Sequence, residues 1–332
     1  MTTSTPVLED TTANTVPAAP PRTRRQRWRA DRVSMFAVFL GLPMILYVVL
    51  VVSPFVQSMY YSLTDWSGFS PEMNFIGLDN FVRLFTQERL FLIALRNNVV
   101  LLLVLPITTI VIALALATLV TVGGTTRGQV RGIRNAGLYR VVSFFPHVMP
   151  AIVVGIIWSQ VYDPNAGLLN GVLQGIGLRG FDGFAWLGEP ATAMGATIFV
   201  ILWGLIGFYM VLFIAAIRGI DVELFDAMRV DGANRIQTAI HLTIPMIKGS
   251  LRTAYVYLSI IALESFTFMQ ALNPLGGPDN ATIVMAQVLF RTAFSDGQFG
   301  LATAMGVVLA AVTMLFALAV FGINRLTGSE ED

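Results

Sequence analysis

Residues 97–126 read NNVVLLLVLPITTIVIALALATLVTVGGTT, without one charged side chain, and every position from Val99 to Leu105 is apolar. About 20 predominantly apolar residues suffice to cross the hydrocarbon of a bilayer as a helix. Backbone groups in lipid have to bond internally, which leaves only helices or a closed barrel. The strands of a membrane barrel alternate apolar and polar positions, and the run from Val99 to Leu105 does not alternate. The stretch reads as a transmembrane helix.

Working outward, uncharged windows recur at 33–64, 141–162, 190–217 and 297–324, and a sixth, 253–278, is interrupted only by Glu264. They predict an all-α, polytopic membrane protein of six spans, with cores near 36–58, 98–122, 138–162, 191–216, 251–272 and 300–323. Composition agrees. Of 332 residues, 55% are hydrophobic and 12% charged, and the mean hydropathy is +0.71. Roughly a quarter of the residues in a soluble domain are charged, so the apolar excess cannot all be hidden in one water-soluble core. There is no cysteine, which excludes disulfides, thiolate metal sites and cysteine nucleophiles. The two histidines, His147 and His241, stand too far apart to suggest a paired metal motif.

Arginine and lysine set the orientation. Sixteen of the 21 fall in the amino-terminal tail (Arg22 to Arg32), the second-to-third connection (Arg127, Arg131, Arg134, Arg140), the fourth-to-fifth (Arg218, Arg229, Arg235, Lys248, Arg252) and after the last span (Arg325). Arg83, Arg89, Arg96, Arg179 and Arg291 lie on the other side. The richer side is expected to be cytoplasmic, with both termini inside. Residues 1–32, Thr-, Pro- and Ala-rich and then basic, are expected to form a disordered cytoplasmic tail. Beside a first span, its basic cluster reads as an orientation signal at the anionic inner leaflet rather than a nucleic-acid patch. The first window is too long for a signal-peptide core and lacks a convincing cleavage site, so residues 33–332 are taken as the transmembrane domain, beginning with an uncleaved span. On the outer side, Tyr60, Tyr61, Trp66 and Phe69 suit an interfacial aromatic belt. An amphipathic piece around Leu168 to Ile176 and a short helix within 281–294 are expected there too.

Connection 217–250 is long and mixed in polarity. Val222, Leu224, Phe225 and Met228 recur at helical spacing from Val222 to Val230. Asp221 is placed as the N-cap and Glu223 in the first turn. Gly232 can take positive φ and end the helix. A second short helix is expected from Asn234 to about Leu242, and Pro245 marks the return to the membrane. Two readings of the apolar residues stand side by side: packing on the inner ends of the chain's own spans, or a knob for a cytoplasmic partner.

Asp226-Ala227-Met228, three residues, Gly232, nine residues and Leu242-Thr243-Ile244-Pro245 resembles the cytoplasmic loop of bacterial ABC-importer permeases: Glu-Ala-Ala, three residues, Gly, nine residues, Ile-x-Leu-Pro. Asp226 keeps the charge of the family's Glu, Leu242 and Ile244 keep hydrophobicity, and Met228 is larger than the second Ala. The resemblance covers about 90–325. Arg140 with Pro146 and Pro150, Trp158, Gly167-Leu168-Leu169-Asn170, and Gly276-Gly277-Pro278 with Thr282 are similar to carbohydrate-uptake permeases. It implies a maltose-permease-like, type I transmembrane domain of an oligosaccharide importer in a bacterial inner membrane. The implied partners are a second, homologous permease, two cytoplasmic ABC ATPase subunits and an extracytoplasmic solute-binding protein. It also implies that Glu223, Leu224, Phe225, Asp226, Ala227, Met228, Gly232 and Ala233 form a coupling helix docking on the ATPase.

The energy source is expected on another chain. A P-loop needs Gly-Lys followed by Ser or Thr, and the only lysine, Lys248, lies between Ile247 and Gly249. No enzymatic activity, cofactor or metal is expected of this chain, ATP being used by the partner. Glu264 is the one acid within a span, and an intramembrane charge needs something to offset its cost. Tyr257, Ile261, Glu264 and Phe268 share a helical face with Gln270 close by. One reading makes this face part of a substrate pathway, with Glu264 accepting sugar hydroxyls and rings stacking on sugar faces. The other gives Glu264 a structural hydrogen bond. Tyr209, Tyr255 and Trp203 are further pathway candidates, while His147, Trp158 and His241 are assigned to packing or capping. The alternative from another class is an ion-gradient-driven secondary transporter with Glu264 as its ion site.

Overall fold

The computed structural model describes residues 35–121 and 136–326. The tail 1–32, Arg127, Arg131, Arg134, and the last residue of the second predicted span, Val122, lie outside the described residues. Thirteen helices are numbered here: α1 (Ala37–Tyr61), α2 (Asp79–Thr86), α3 (Arg89–Thr121), α4 (Ala136–Val148), α5 (Ala151–Val161), α6 (Leu168–Gly175), α7 (Pro190–Arg218), α8 (Val222–Val230), α9 (235–246), α10 (Lys248–Leu263), α11 (Phe266–Leu272), α12 (Met285–Phe294) and α13 (Phe299–Leu326). Among the described residues there is no strand, only an isolated antiparallel bridge between Thr64 and Phe75.

Four helices, α1, α3, α7 and α13, are each long and apolar enough to cross a membrane. The third and fifth predicted spans are bent pairs: α4 and α5 meet at 100°, α10 and α11 at 48°. Counting each pair as one span gives six. The first break falls at Pro150, whose φ −56 and ψ 137 leave the helical region. The second falls at Glu264 and Ser265, with ψ near 20° at both.

Prolines also account for the wide π-turns. These occupy Ala37–Gly41, Val48–Val52 and Ala239–Thr243, and each ends two residues before a proline: Pro43, Pro54 and Pro245. A proline inside a helix clashes with the carbonyl four residues back. Those carbonyls belong to Phe39, Leu50 and His241, each inside its wide turn, where the extra residue relieves the clash.

The chain divides into two compact units, residues 1–56 and 57–332. Within the first, the described residues are helical throughout. In the second, α3 and α7 form the centre of a core that unites Leu101, Leu105 and Ala113 with Ile201 and Phe213 and with Leu258 and Ala262 of α10. Lipid tails are as apolar as these side chains, so close packing carries the association and small residues favour it. Gly207 illustrates this: a Cβ there would overlap the Ser143 carbonyl and Phe144 of α4. Gly155 of α5 likewise meets Ala271 of α11. A second cluster joins Leu84 of α2, Phe91 of α3, Met285 and Val288 of α12 and Met305 of α13.

Candidate coupling loop and transport pathway

Loop 219–247 folds as two short helices. Helix α8 begins after Asp221, but the Asp221 side chain makes no capping hydrogen bond. Its expected role as a side-chain cap is corrected to a backbone position only. The end of α8 is as predicted. Gly232 has φ +76, its N–H donates to the Arg229 carbonyl (3.1 Å), and the Ala233 N–H donates to the Met228 carbonyl (2.9 Å). That pair of bonds is a Schellman closure, which favours glycine at the left-handed position. Asn234 then starts α9 through a reciprocal capping box with Gln237, at 2.9 and 2.8 Å. His241 sits within α9 with Nδ1 3.0 Å from the Gln237 carbonyl.

The two readings of the apolar residues divide by face. Phe225 is 3% exposed and belongs to the same core as Ile217, Ile220, Leu242 and Ile247, with Met228 packed against it. Opposite lie Val222, Glu223, Leu224, Asp226 and Ala227, exposed, and Val230 at 88%. Gly232 is exposed and Ala233 half-buried. Asp226 pairs with Arg229 at 2.8 Å across one turn. Phe225, with Met228 beside it, therefore fastens the helix to its own bundle, while Glu223, Leu224, Asp226, Ala227 and Gly232 are exposed.

The predicted pathway residues do not all share a surface. Tyr257 is 61% exposed and Glu264 is exposed at the break itself. Phe268 is half-buried beside Gly204 of α7. Gln270 accepts a hydrogen bond from Gln287 at 3.1 Å. Tyr209 is 3% exposed, enclosed between Phe208 and Phe213. Tyr255 faces α13, its ring 5.9 Å from that of Phe316. Trp203 meets Trp158 edge-on at 5.5 Å. His147 Nδ1 lies 3.2 Å from the Gly204 carbonyl and its ring stacks on Phe208 at 4.7 Å, a packing role.

Around the α10–α11 break lies a buried amide network. The Asn98 side chain donates to the Leu263 carbonyl (3.2 Å), freed by the break, and accepts from the Met285 N–H (2.8 Å), which α12 leaves unpaired at its start. Asn97 donates to the carbonyls of Ala281 (3.1 Å) and Ile283 (2.9 Å). Gln287 also donates to the Asn273 carbonyl (3.1 Å), and Asn273 to Thr197 Oγ1 (2.6 Å). Sequence reasoning missed these residues. The available signal was the pair Asn97-Asn98 at the mouth of an apolar run, since an intramembrane amide needs partners. Separately, Trp158, Tyr162, Trp186 and Phe199 line a cavity of about 530 Å³. The Trp186 indole donates to Asn170 Oδ1 (2.7 Å) and the Tyr162 hydroxyl to the Ala196 carbonyl (3.3 Å), so their polar handles are engaged in the fold.

Residues 123–328 match the family model described as binding-protein-dependent transport system inner membrane component. The chain is 56% identical to the diacetylchitobiose uptake system permease protein NgcF of Streptomyces coelicolor, over 93% of this chain and 88% of that protein. It is 34% identical to the probable ABC transporter permease protein YurN of Bacillus subtilis, over 87% and 96% of the two chains. Among solved structures it is similar in fold to a bacterial ABC transporter involved in import of the acidic polysaccharide alginate. That match has TM-score 0.76, 22% identity, and covers 92% of this chain and 100% of that one.

Proposed function

This chain belongs to the binding-protein-dependent transport system inner membrane components, the permease subunits of ABC transporters, and on that premise we propose that it forms half of an oligosaccharide importer's membrane pathway. The observation that carries the substrate class is the 56% identity to a diacetylchitobiose permease along nearly the whole chain. A β-linked N-acetylglucosamine disaccharide is therefore the first substrate to test.

In this reading a second, homologous permease completes the pathway, an extracytoplasmic binding protein delivers the sugar, and two ATPase subunits bind inside and hydrolyse ATP. The alginate importer has been crystallised in complex with an alginate pentasaccharide-bound periplasmic protein. Both termini and loop 219–247 then face the cytoplasm, as the arginine bias supports. The free face of α8, from Glu223 to Ala233, enters a cleft on the ATPase. Because Phe225 anchors α8 in the same core as α3, α7 and α10, closure of the ATPase pair moves these helices as a body. That displacement provides alternating access. Tyr257 and Glu264 offer a ring face and an acceptor to sugar, and Phe268 and Gln270 continue the lining. Tyr209 supports the wall from behind.

The test is reconstituted uptake of radiolabelled diacetylchitobiose by the assembly of both permeases, the two ATPase subunits and the binding protein. Asp226→Lys inverts the exposed charge, and Gly232→Pro cannot adopt φ +76. Each is expected to abolish ATPase association and sugar-stimulated hydrolysis together. If both activities persist unchanged in both variants, the docking role fails. If uptake stops on collapsing the proton and sodium gradients at constant ATP, the chain is instead a secondary transporter.

A further inference from the structure

A second cavity, of about 450 Å³, opens between α3, α10 and α13, with Ile110, Arg252, Tyr255, Phe316 and Ala319 among its walls. Tyr255 and Tyr257 stand two positions apart, about 200° around a helix of 3.6 residues per turn. The exposed face of Tyr257 is therefore not the face of Tyr255, and Tyr255 lines this slot instead of the pathway side.

The slot's chemistry is asymmetric. Its walls are aliphatic and aromatic, and among the described residues that line it the charged group is the Arg252 guanidinium. Lys248 lies one turn earlier on the same helical face. Both belong to the connection that the charge count puts at the cytoplasmic surface. Lys248 and Arg252 also interact within the chain, but a guanidinium has five N–H donors and can hold a phosphate besides. A sugar, needing many hydrogen bonds, finds almost none in such walls. An amphiphile with a hydrocarbon chain and an anionic head matches both ends.

We propose that this slot binds an anionic glycerophospholipid of the inner leaflet. An acyl chain lies between Ile110, Tyr255 and Phe316, and the phosphate sits on Arg252 with Lys248 beside it. The lipid bridges α10, which leads to the break at Glu264, to α13, so bilayer charge bears on the broken span. The proposal stands apart from the transport reading, because lipid retention is measured whether or not the chain moves sugar.

Native mass spectrometry of the purified full-length chain, offered phosphatidylglycerol or phosphatidylcholine with identical acyl chains, tests it. A basic side chain near an anionic lipid is worth about fivefold in binding. Phosphatidylglycerol should therefore be retained about fivefold or more over phosphatidylcholine. Arg252→Gln should cut that preference about fivefold, Arg252→Lys should keep most of it, and Ala319→Trp, filling the slot, should lower retention of both lipids. Equal retention of the two lipids by the wild type would overturn the proposal. Undiminished retention by a folded Ala319→Trp chain would overturn it too, by showing adhesion of the head alone. So would a disulfide from a cysteine placed at 319, in this otherwise cysteine-free chain, to the second permease, since a helix and not a lipid would then cover the slot. Should Ala319→Trp fail to fold, the Arg252 pair still decides.

Discussion

Phe225 packs on its own bundle, as one of the two readings of its loop expects, and in the proposed function that anchorage lets a surface helix act as a lever. A fully buried phenylalanine truncated to alanine costs about 3–5 kcal/mol, depending on how far the site collapses. Phe225→Ala is expected to release α8 from the bundle while leaving the spans intact. Limited proteolysis should then cut within 221–234 much faster than in the wild type, and ATPase stimulation should drop even where the ATPase still binds. Unaltered proteolysis would show that Phe225 is not the anchor. Asp65 carries a different residue-scale prediction, in the segment after α1. It accepts hydrogen bonds from the Asn74 side chain (3.0 Å) and backbone N–H (2.7 Å), and these hold its carboxyl below the ordinary 3.8. A depressed folded pKa means stability present above the unfolded value and lost as pH falls through the folded one. The Asp65–Asn74 clasp should thus stay closed at neutral and mildly acidic pH. A carboxyl resonance of Asp65 titrating at or above 3.8 would contradict it.

At the scale of elements, the broken spans matter most. An uninterrupted helix satisfies its own backbone in lipid, whereas a break exposes groups that something else has to bond. Asn98 supplies that for Leu263 and Met285, and replacing it leaves two buried backbone groups unpaired at about 1–3 kcal/mol each. Asn98→Leu is expected to lower the thermal midpoint of the purified protein clearly, whereas Val99→Ala next to it, on an exposed position, should barely move it. Equal midpoints would remove the network from the account. The same element shows what was legible beforehand. Uncharged length located all six candidate spans, because crossing hydrocarbon demands it. Gly232 and Asn234 announced their turn, because positive φ and N-capping restrict residue choice. The 48° break at Glu264 was not legible: no proline or glycine marks it, and its stabilising amides come from α3 and α12, distant in sequence. Nor could periodicity separate Tyr209, in the core, from Tyr257, on a surface. Both are aromatic residues in apolar helices, and only packing distinguishes them.

For the molecule as a whole, one physical division organises everything: the chain has a surface helix, anchored by Phe225 and closed at its C-terminus by Gly232, but lacks the Gly-Lys-Ser/Thr phosphate grip of a P-loop. In the proposed function its energy arrives through the free face of α8, and that reading requires the face to lie on the side where the ATPase binds. A single cysteine at Val230, the most exposed apolar residue of α8, reports this directly in a chain that otherwise has none. A membrane-impermeant maleimide should label it in inside-out vesicles, should fail to label it in intact spheroplasts, and should be blocked once the ATPase subunits are bound. Labelling in intact spheroplasts, or labelling unaffected by bound ATPase, would contradict the account.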